Sequence, residues 1–163
     1  MKTLVLVRHA KSTWKEKDLA DIDRPLNPRG IRDAHLLSKN LSSKLKPQKI
    51  YTSPATRAFH TATIFARNLN FSFFDYHVKE NLYDHSGSLE LLNFFQGLPG
   101  FAEQILIFGH SPTFQVLTEN LSGENLDSYP TCTVSFLEFP IETWRDIHSE
   151  KAKLEVYKPE DFR

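Results

Sequence analysis

The chain has 163 residues, the length of one ordinary domain, and can bury roughly two thirds of its unfolded surface. Its 20 Lys and Arg side chains balance 20 Asp and Glu, which excludes a global field that would draw nucleic acid or an anionic membrane, so any anion recognition must be local. The single cysteine, Cys132, excludes an internal disulfide, suits a reducing compartment and is expected to be a small core residue.

In chain order, Thr3–Val7 reads as a buried strand, because Leu and Val run continuously rather than alternating. Asn27-Pro28 looks like an N-cap followed by proline in the first helical turn, and Ile31, Ala34, Leu37, Leu41 and Leu45 then recur at helical spacing. Lys49–Thr52 is a short second strand. Ser53-Pro54 repeats the cap-plus-proline signal and opens a helix through Ala58, Ala62, Phe65 and Leu69. Phe71–Val78 is expected as a third strand, Ser88–Phe95 as a short helix and Gln104–Phe108 as the fourth strand. Ser111-Pro112 is the third such helix start, with Phe114, Leu117 and Leu121 on the apolar face; Cys132–Phe139 and Lys153–Tyr157 then read as a hairpin.

The β-α-β-α order predicts one three-layer α/β domain over residues 1–163 with a mostly parallel sheet and no dividing linker. No run approaches the about 20 apolar residues of a membrane span. The apolar stretch Leu4 to Val7 is too short for a signal peptide, so a cytoplasmic location is expected.

In an open α/β sheet, ligands bind outside the carboxyl ends of the strands. Arg8-His9 ends the first strand, Ser53-Pro54 the second and Gly109-His110 the fourth, while Arg57 lies in the first turn of the helix that Ser53 opens. Sequence order thus gathers two arginines and two histidines around one rim, where helix N-termini also favour an anion. Taken singly, each histidine reads as a structural strand-end group and the arginine as a solvated surface residue; together they point to a site. Ala10-Lys11-Ser12-Thr13 resembles the tail of a phosphate loop, but Leu6, Val7, Arg8 and His9 stand where that motif needs glycines. No histidine pair has metal-site helical spacing, and His77 and His85 read as surface residues.

Phosphoryl transfer fits this set. Two guanidiniums can hold phosphate oxygens without titrating. A neutral imidazole in line with phosphorus can attack it, giving a phosphohistidine that water later hydrolyses. The second histidine, if protonated, would add charge where the transition state is most anionic. Fixed cations could take the place of magnesium, so neither a metal nor another cofactor is expected.

Four ordered motifs carry a family resemblance. Arg8-His9-Ala10 resembles the RHG motif of the histidine phosphatase (phosphoglycerate mutase-like) superfamily, and Asp23-Arg24-Pro25-Leu26-Asn27-Pro28-Arg29-Gly30 resembles its D-x-P-L-T/N-x-x-G segment. Ser53-Pro54-Ala55-Thr56-Arg57-Ala58 with Thr61-Ala62 resembles S-x-x-x-R-A-x-x-T-A, and Phe108-Gly109-His110 the late strand end. The short length and the spellings LVRHAKS and DRPLN-x-RG are similar to the SixA-type phosphohistidine phosphatase branch. The resemblance implies a phosphoglycerate mutase-like α/β/α sandwich with one antiparallel strand. It also implies a metal-free enzyme with His9 as nucleophile and Arg8, Arg57 and His110 completing the phosphate pocket, whereas Asp23 and Gly30 serve turn and packing geometry.

This chain departs from the common R-H-G-E-S-x-W-N by carrying Ala10, Lys11 and Lys15, which makes the expected mouth more basic. Ser12 is a candidate phosphate contact at the rim. Leu82-Tyr83-Asp84 aligns with the L-x-E that supplies a proton donor in many relatives, making Asp84 the candidate general acid, with a plain loop aspartate as the alternative. Trp14 and Trp144 read as rim or core aromatics, with a docking surface as the other reading. The expected partner is a protein carrying phosphohistidine; the alternatives are a small phosphate ester, or a non-catalytic phosphate-binding module, with no nucleic acid or membrane partner.

Overall fold

The computed structural model describes residues 1–83, 87–148 and 151–163. Six strands form one sheet: β1 (Lys2–Arg8), β2 (Lys49–Thr52), β3 (Tyr76–Val78), β4 (Gln104–Gly109), β5 (Val134–Phe139) and β6 (Lys153–Tyr157). Their spatial order is β3-β2-β4-β1-β5-β6. The pairs β3–β2, β2–β4 and β4–β1 are parallel, whereas β5 runs antiparallel to both β1 and β6. One strand, β5, is therefore reversed, which agrees with the expected sandwich.

Among the described residues, four α-helices cover the sheet: α1 (Pro28–Asn40), α2 (Thr56–Asn68), α3 (Ser88–Gln96) and α4 (Thr113–Ser122). The strands alternate their side chains between two apolar clusters, as period-two geometry requires. Leu4, Leu6, Ile105 and Ile107 pack with Leu91 and Phe95 of α3, Leu117 and Leu121 of α4, and Trp144. Val5, Val7, Leu106 and Phe108 face the other way, onto Ala34 and Leu37 of α1 and Ala62 and Phe65 of α2. Both faces of the central strands are covered, which is why they read as continuous apolar runs. Cys132 and Trp144 are fully buried, and the Trp144 Nε1–H donates to the Ala102 carbonyl at 2.9 Å.

Several expected boundaries move for local reasons. Asn27 does cap α1, accepting from the Gly30 N–H at 2.8 Å with Pro28 at the first helical position. The Leu41 and Leu45 positions lie beyond the end of α1 but stay buried in the same cluster. The third strand is only three residues long, because the Ser72 hydroxyl accepts from the Phe74 N–H and starts a 3₁₀ turn over Phe73–Asp75. Neither later Ser-Pro pair caps its helix: α2 starts after Ala55 and α4 after Pro112, with no side-chain cap at either. Ser53 Oγ instead accepts from the Ala55 N–H at 3.2 Å and meets His110 Nε2 at 2.8 Å.

Candidate active site

Backbone hydrogen bonds stitch three strand ends into one floor. The His9 N–H donates to the Gly109 carbonyl and the Ser53 N–H to the Phe108 carbonyl, each at 3.0 Å. Helix α2 is tied in through Thr61, whose hydroxyl donates to the Arg57 carbonyl at 2.6 Å and accepts from the Ala10 N–H at 3.0 Å. Above this floor opens a cleft of about 620 Å³ lined by Arg8, His9, Ser12, Arg57, His110 and others. Five of the six sequence-derived candidates thus share one cavity; the sixth, Asp84, lies outside the described residues.

His9 is 8 % exposed, and its Nδ1 sits 2.7 Å from the Ala10 carbonyl. A carbonyl can only accept, so Nδ1 carries the hydrogen and Nε2 keeps the lone pair. Burial, then the nearby Arg57, Arg8 and Arg24 charges, push the His9 pKa down to about 4 even though the Ala10 contact favours the cation. His110 lies beside it, with ring centroids 5.2 Å apart. Burial, followed by His9 and the arginines, lowers the His110 pKa to about 3 despite the opposing Asp21 charge. Both imidazoles are neutral near pH 7 in this site.

Arg8 is held from outside the cleft and Arg57 by a residue of its wall, Asp21. Arg8 Nη1 donates to the Tyr129 carbonyl at 2.6 Å. Arg57 donates from Nη1 to the Asp21 carbonyl at 2.7 Å and from Nη2 to Asp21 Oδ2 at 3.0 Å. Among the described residues, four buried side-chain polar atoms have no hydrogen-bond partner, and three of them, Arg8 Nε, Arg57 Nε and Ser111 Oγ, belong to cleft residues. Buried donors of this kind are rare and suit an oxyanion.

Sequence reasoning missed Asp21, Arg24 and Tyr83. Asp21 Oδ1 accepts from Arg24 Nε and Oδ2 from the Tyr83 hydroxyl, each at 3.0 Å, alongside the Arg57 contact. Burial alone would raise the Asp21 pKa, but the hydrogen bonds from Tyr83, Arg57 and Arg24 hold it at about 2, so Asp21 is anionic and no proton donor near neutrality. Arg24 is buried and also reaches the Ser12 hydroxyl from Nη1 at 2.8 Å. Arg24 and Tyr83 sit inside quoted motifs, at positions whose spelling alone carried no charge or hydroxyl requirement. Asp21 falls two residues before one. Ser12 accepts that Arg24 bond and still has its own proton to donate into the cleft it lines. Lys11 and Trp14 are exposed on the rim, whereas Lys15 does not line it, so the basic mouth is narrower than expected.

The model of the histidine phosphatase superfamily (branch 1) matches residues 4–96. The chain belongs to the histidine phosphatase superfamily. The Hydrogenobacter thermophilus protein named "Putative phosphoserine phosphatase 2" is 32% identical over 141 residues, spanning 85% of this chain and 66% of that protein. The chain thus spans about two thirds of that relative's length. Among solved structures, the "Putative Phosphohistidine Phosphatase SixA" of Nakamurella multipartitia superposes with TM-score 0.79 and 26% identity, covering 97% of this chain and 96% of the other. A protein histidine phosphatase SixA complexed with tungstate gives TM-score 0.83 at 19% identity over 99% of both chains, a likeness of fold. The architecture is SixA-type. Among the described residues, no helix is long and apolar enough to cross a membrane.

Proposed function

We propose that the protein is a phosphatase that removes phosphate from phosphohistidine on a partner protein through a covalent intermediate on His9. The observation that carries this reading is the Nδ1–H of His9 held to the Ala10 carbonyl. It leaves the Nε2 lone pair for phosphorus in a cleft walled by Arg8, Arg57 and His110. Nε2 attacks phosphorus as the substrate P–N bond breaks, and the departing imidazole takes that bond's electron pair, leaving as a neutral ring when its other nitrogen already carries a hydrogen and otherwise taking a proton from water in the open cleft. Water then attacks phosphorus on His9, releasing inorganic phosphate and restoring the neutral imidazole. Arg8 and Arg57 hold the phosphoryl oxygens throughout, and Ser12 donates at the rim. An imidazole leaves far more easily than an alkoxide, so the first step does not depend on a dedicated acid. The exposed rim at Lys11 and Trp14 suits a side chain projecting from a folded partner, and the SixA-type fold supports the same reading.

The second reading is a small-molecule phosphomonoesterase, favoured by the relative named for phosphoserine. Paired kinetics on a phosphohistidine protein and a panel of monoesters separate the two. The proposal expects faster turnover of the protein phosphate, and faster turnover of the esters overturns it. His9→Ala is expected to abolish both turnover and the trapped, labelled phosphoenzyme; activity that survives the substitution would remove His9 as nucleophile. A chelator is expected to leave the rate unchanged, since fixed guanidiniums carry the phosphate charge.

A further inference from the structure

Trp14 is among the most exposed large apolar side chains of the described residues, at 72 % of its full accessibility, and it lines the cleft. Other strongly exposed aromatics, Phe73, Phe74 and Phe101, do not line that cleft. The loop that carries Trp14 is not loose. The Thr13 N–H donates to the Pro25 carbonyl at 3.0 Å and the Asn27 N–H to the Lys11 carbonyl at 2.9 Å, while Ser12 bridges to Leu26. These contacts lay residues 11–13 against 25–27 and bring the indole over Arg24.

Arg24 is built to hold that ring. Its donors work in the guanidinium plane, from Nε to Asp21 and from Nη1 to the Ser12 hydroxyl and, at 3.4 Å, the Thr13 carbonyl. The flat face is left for stacking, and the guanidinium carbon lies 3.4 Å from the indole centroid. One indole face is thereby covered by a buried, immobilised cation. At 72 % exposure the opposite face remains open beside the cleft.

We propose that Trp14, backed by Arg24, is a stacking platform for a planar leaving group and so a specificity-determining residue of this site. The inference rests on the reading of the cleft as the phosphoryl-transfer site and deepens it by naming the leaving-group class. An imidazole, one bond from phosphorus, presents a flat ring to such a surface, whereas a serine or glycerol ester presents a flexible chain. A cationic group is disfavoured there, because Arg24 lies under the ring and Lys11 beside it on the rim. The contact exists before the transition state, so it acts on substrate binding.

The test compares Trp14→Leu and Trp14→Phe with wild type on three substrates: free phosphohistidine, phenyl phosphate and phosphoserine. Trp14→Leu is expected to lower kcat/KM for the two planar leaving groups by about three- to tenfold more than for phosphoserine, mainly through KM. Trp14→Phe is expected to restore most of that difference. An equal loss on all three substrates, or a phenylalanine variant no better than leucine, overturns the platform. The two readings fail separately. A wild type that hydrolyses phenyl phosphate with the Trp14 preference but leaves phosphohistidine intact refutes the proposed substrate and keeps the platform. Phosphohistidine turnover that is blind to Trp14 refutes the platform and keeps the substrate.

Discussion

His9 and His110 sit with ring centroids 5.2 Å apart in a pocket whose lining also carries Arg8, Arg24, Arg57 and Lys11 against the carboxylate of Asp21, so each imidazole is held neutral by burial and by its cationic neighbours. A phosphate dianion placed between them reverses the sign of the local field. Binding of inorganic phosphate is therefore expected to raise the His110 pKa by on the order of one unit. Histidine-resolved NMR titration with and without phosphate checks this, and an unmoved His110 would place it outside the phosphate's reach. From about 3, a rise of that size still leaves His110 neutral near pH 7, so phosphate binding alone does not supply the protonated second histidine expected from the sequence. Arg57 is the other residue whose chemistry is specific. Its terminal nitrogens serve Asp21 and its Nε has no protein partner, so a point charge cannot serve both. Arg57→Lys is expected to lower kcat/KM by about 10²-fold, read in steady-state kinetics.

At the scale of elements, the site depends on how closely loops and helices approach the strand ends. The first turn of α1 lies so near the loop after β1 that a Cβ on Gly30 would fall 2.1 Å from the Lys11 carbonyl oxygen. Backbone cannot swing aside as a side chain does, so Gly30→Ala must displace the segment that holds Ser12 and Trp14. It is expected to destabilise the fold by about 1–3 kcal/mol, read from urea unfolding, and to weaken substrate binding with it. Gly109 makes the corresponding approach on the other face, where a Cβ would meet the Phe114 ring of α4 at 2.5 Å. Cys132, with φ of 64°, turns the chain so that its N–H donates to the His9 carbonyl at 3.0 Å, and it fastens the segment before β5 to the His9 backbone.

At the scale of the whole molecule, the depressed histidines tie stability to pH. The folded His9 and His110 pKa values, about 4 and about 3, lie below the unfolded value of 6.5, and His60 and His77 are shifted in the same direction by burial. As pH falls through 6.5 the unfolded chain takes up protons that the folded chain refuses, so acid favours unfolding. Stability is complete above that value and is lost as pH falls towards the folded pKa values. Asp21, held at about 2, adds its own loss only below the ordinary carboxylate range. Urea midpoints measured from pH 7.5 to 4.5 are expected to fall steadily, and the double variant His9→Gln, His110→Gln to flatten that fall. A midpoint independent of pH in wild type would contradict the buried, neutral imidazoles.

The sequence by itself determined the layer order, the parallel core and the meeting of Arg8, His9, Arg57 and His110. Apolar periodicity reports burial directly, and in this topology strand ends converge whatever their loops do. The α1 cap at Asn27 and the buried faces of α2 and α4 were legible for the same reason, being local or periodic. Only the tertiary structure decided the role of the serines and the shell around the arginines. Ser53 turns from helix capping to His110 because that strand end lies beside it, across 57 positions in sequence. Asp21 reaches Arg57 over 36 positions, a pairing that no local pattern encodes. Trp14 reads ambiguously in the sequence because the Arg24 guanidinium beneath its ring comes from a separate loop. Side-chain pairing between distant loops depends on where the packed layers leave their ends, and that placement exists only once the sheet is assembled.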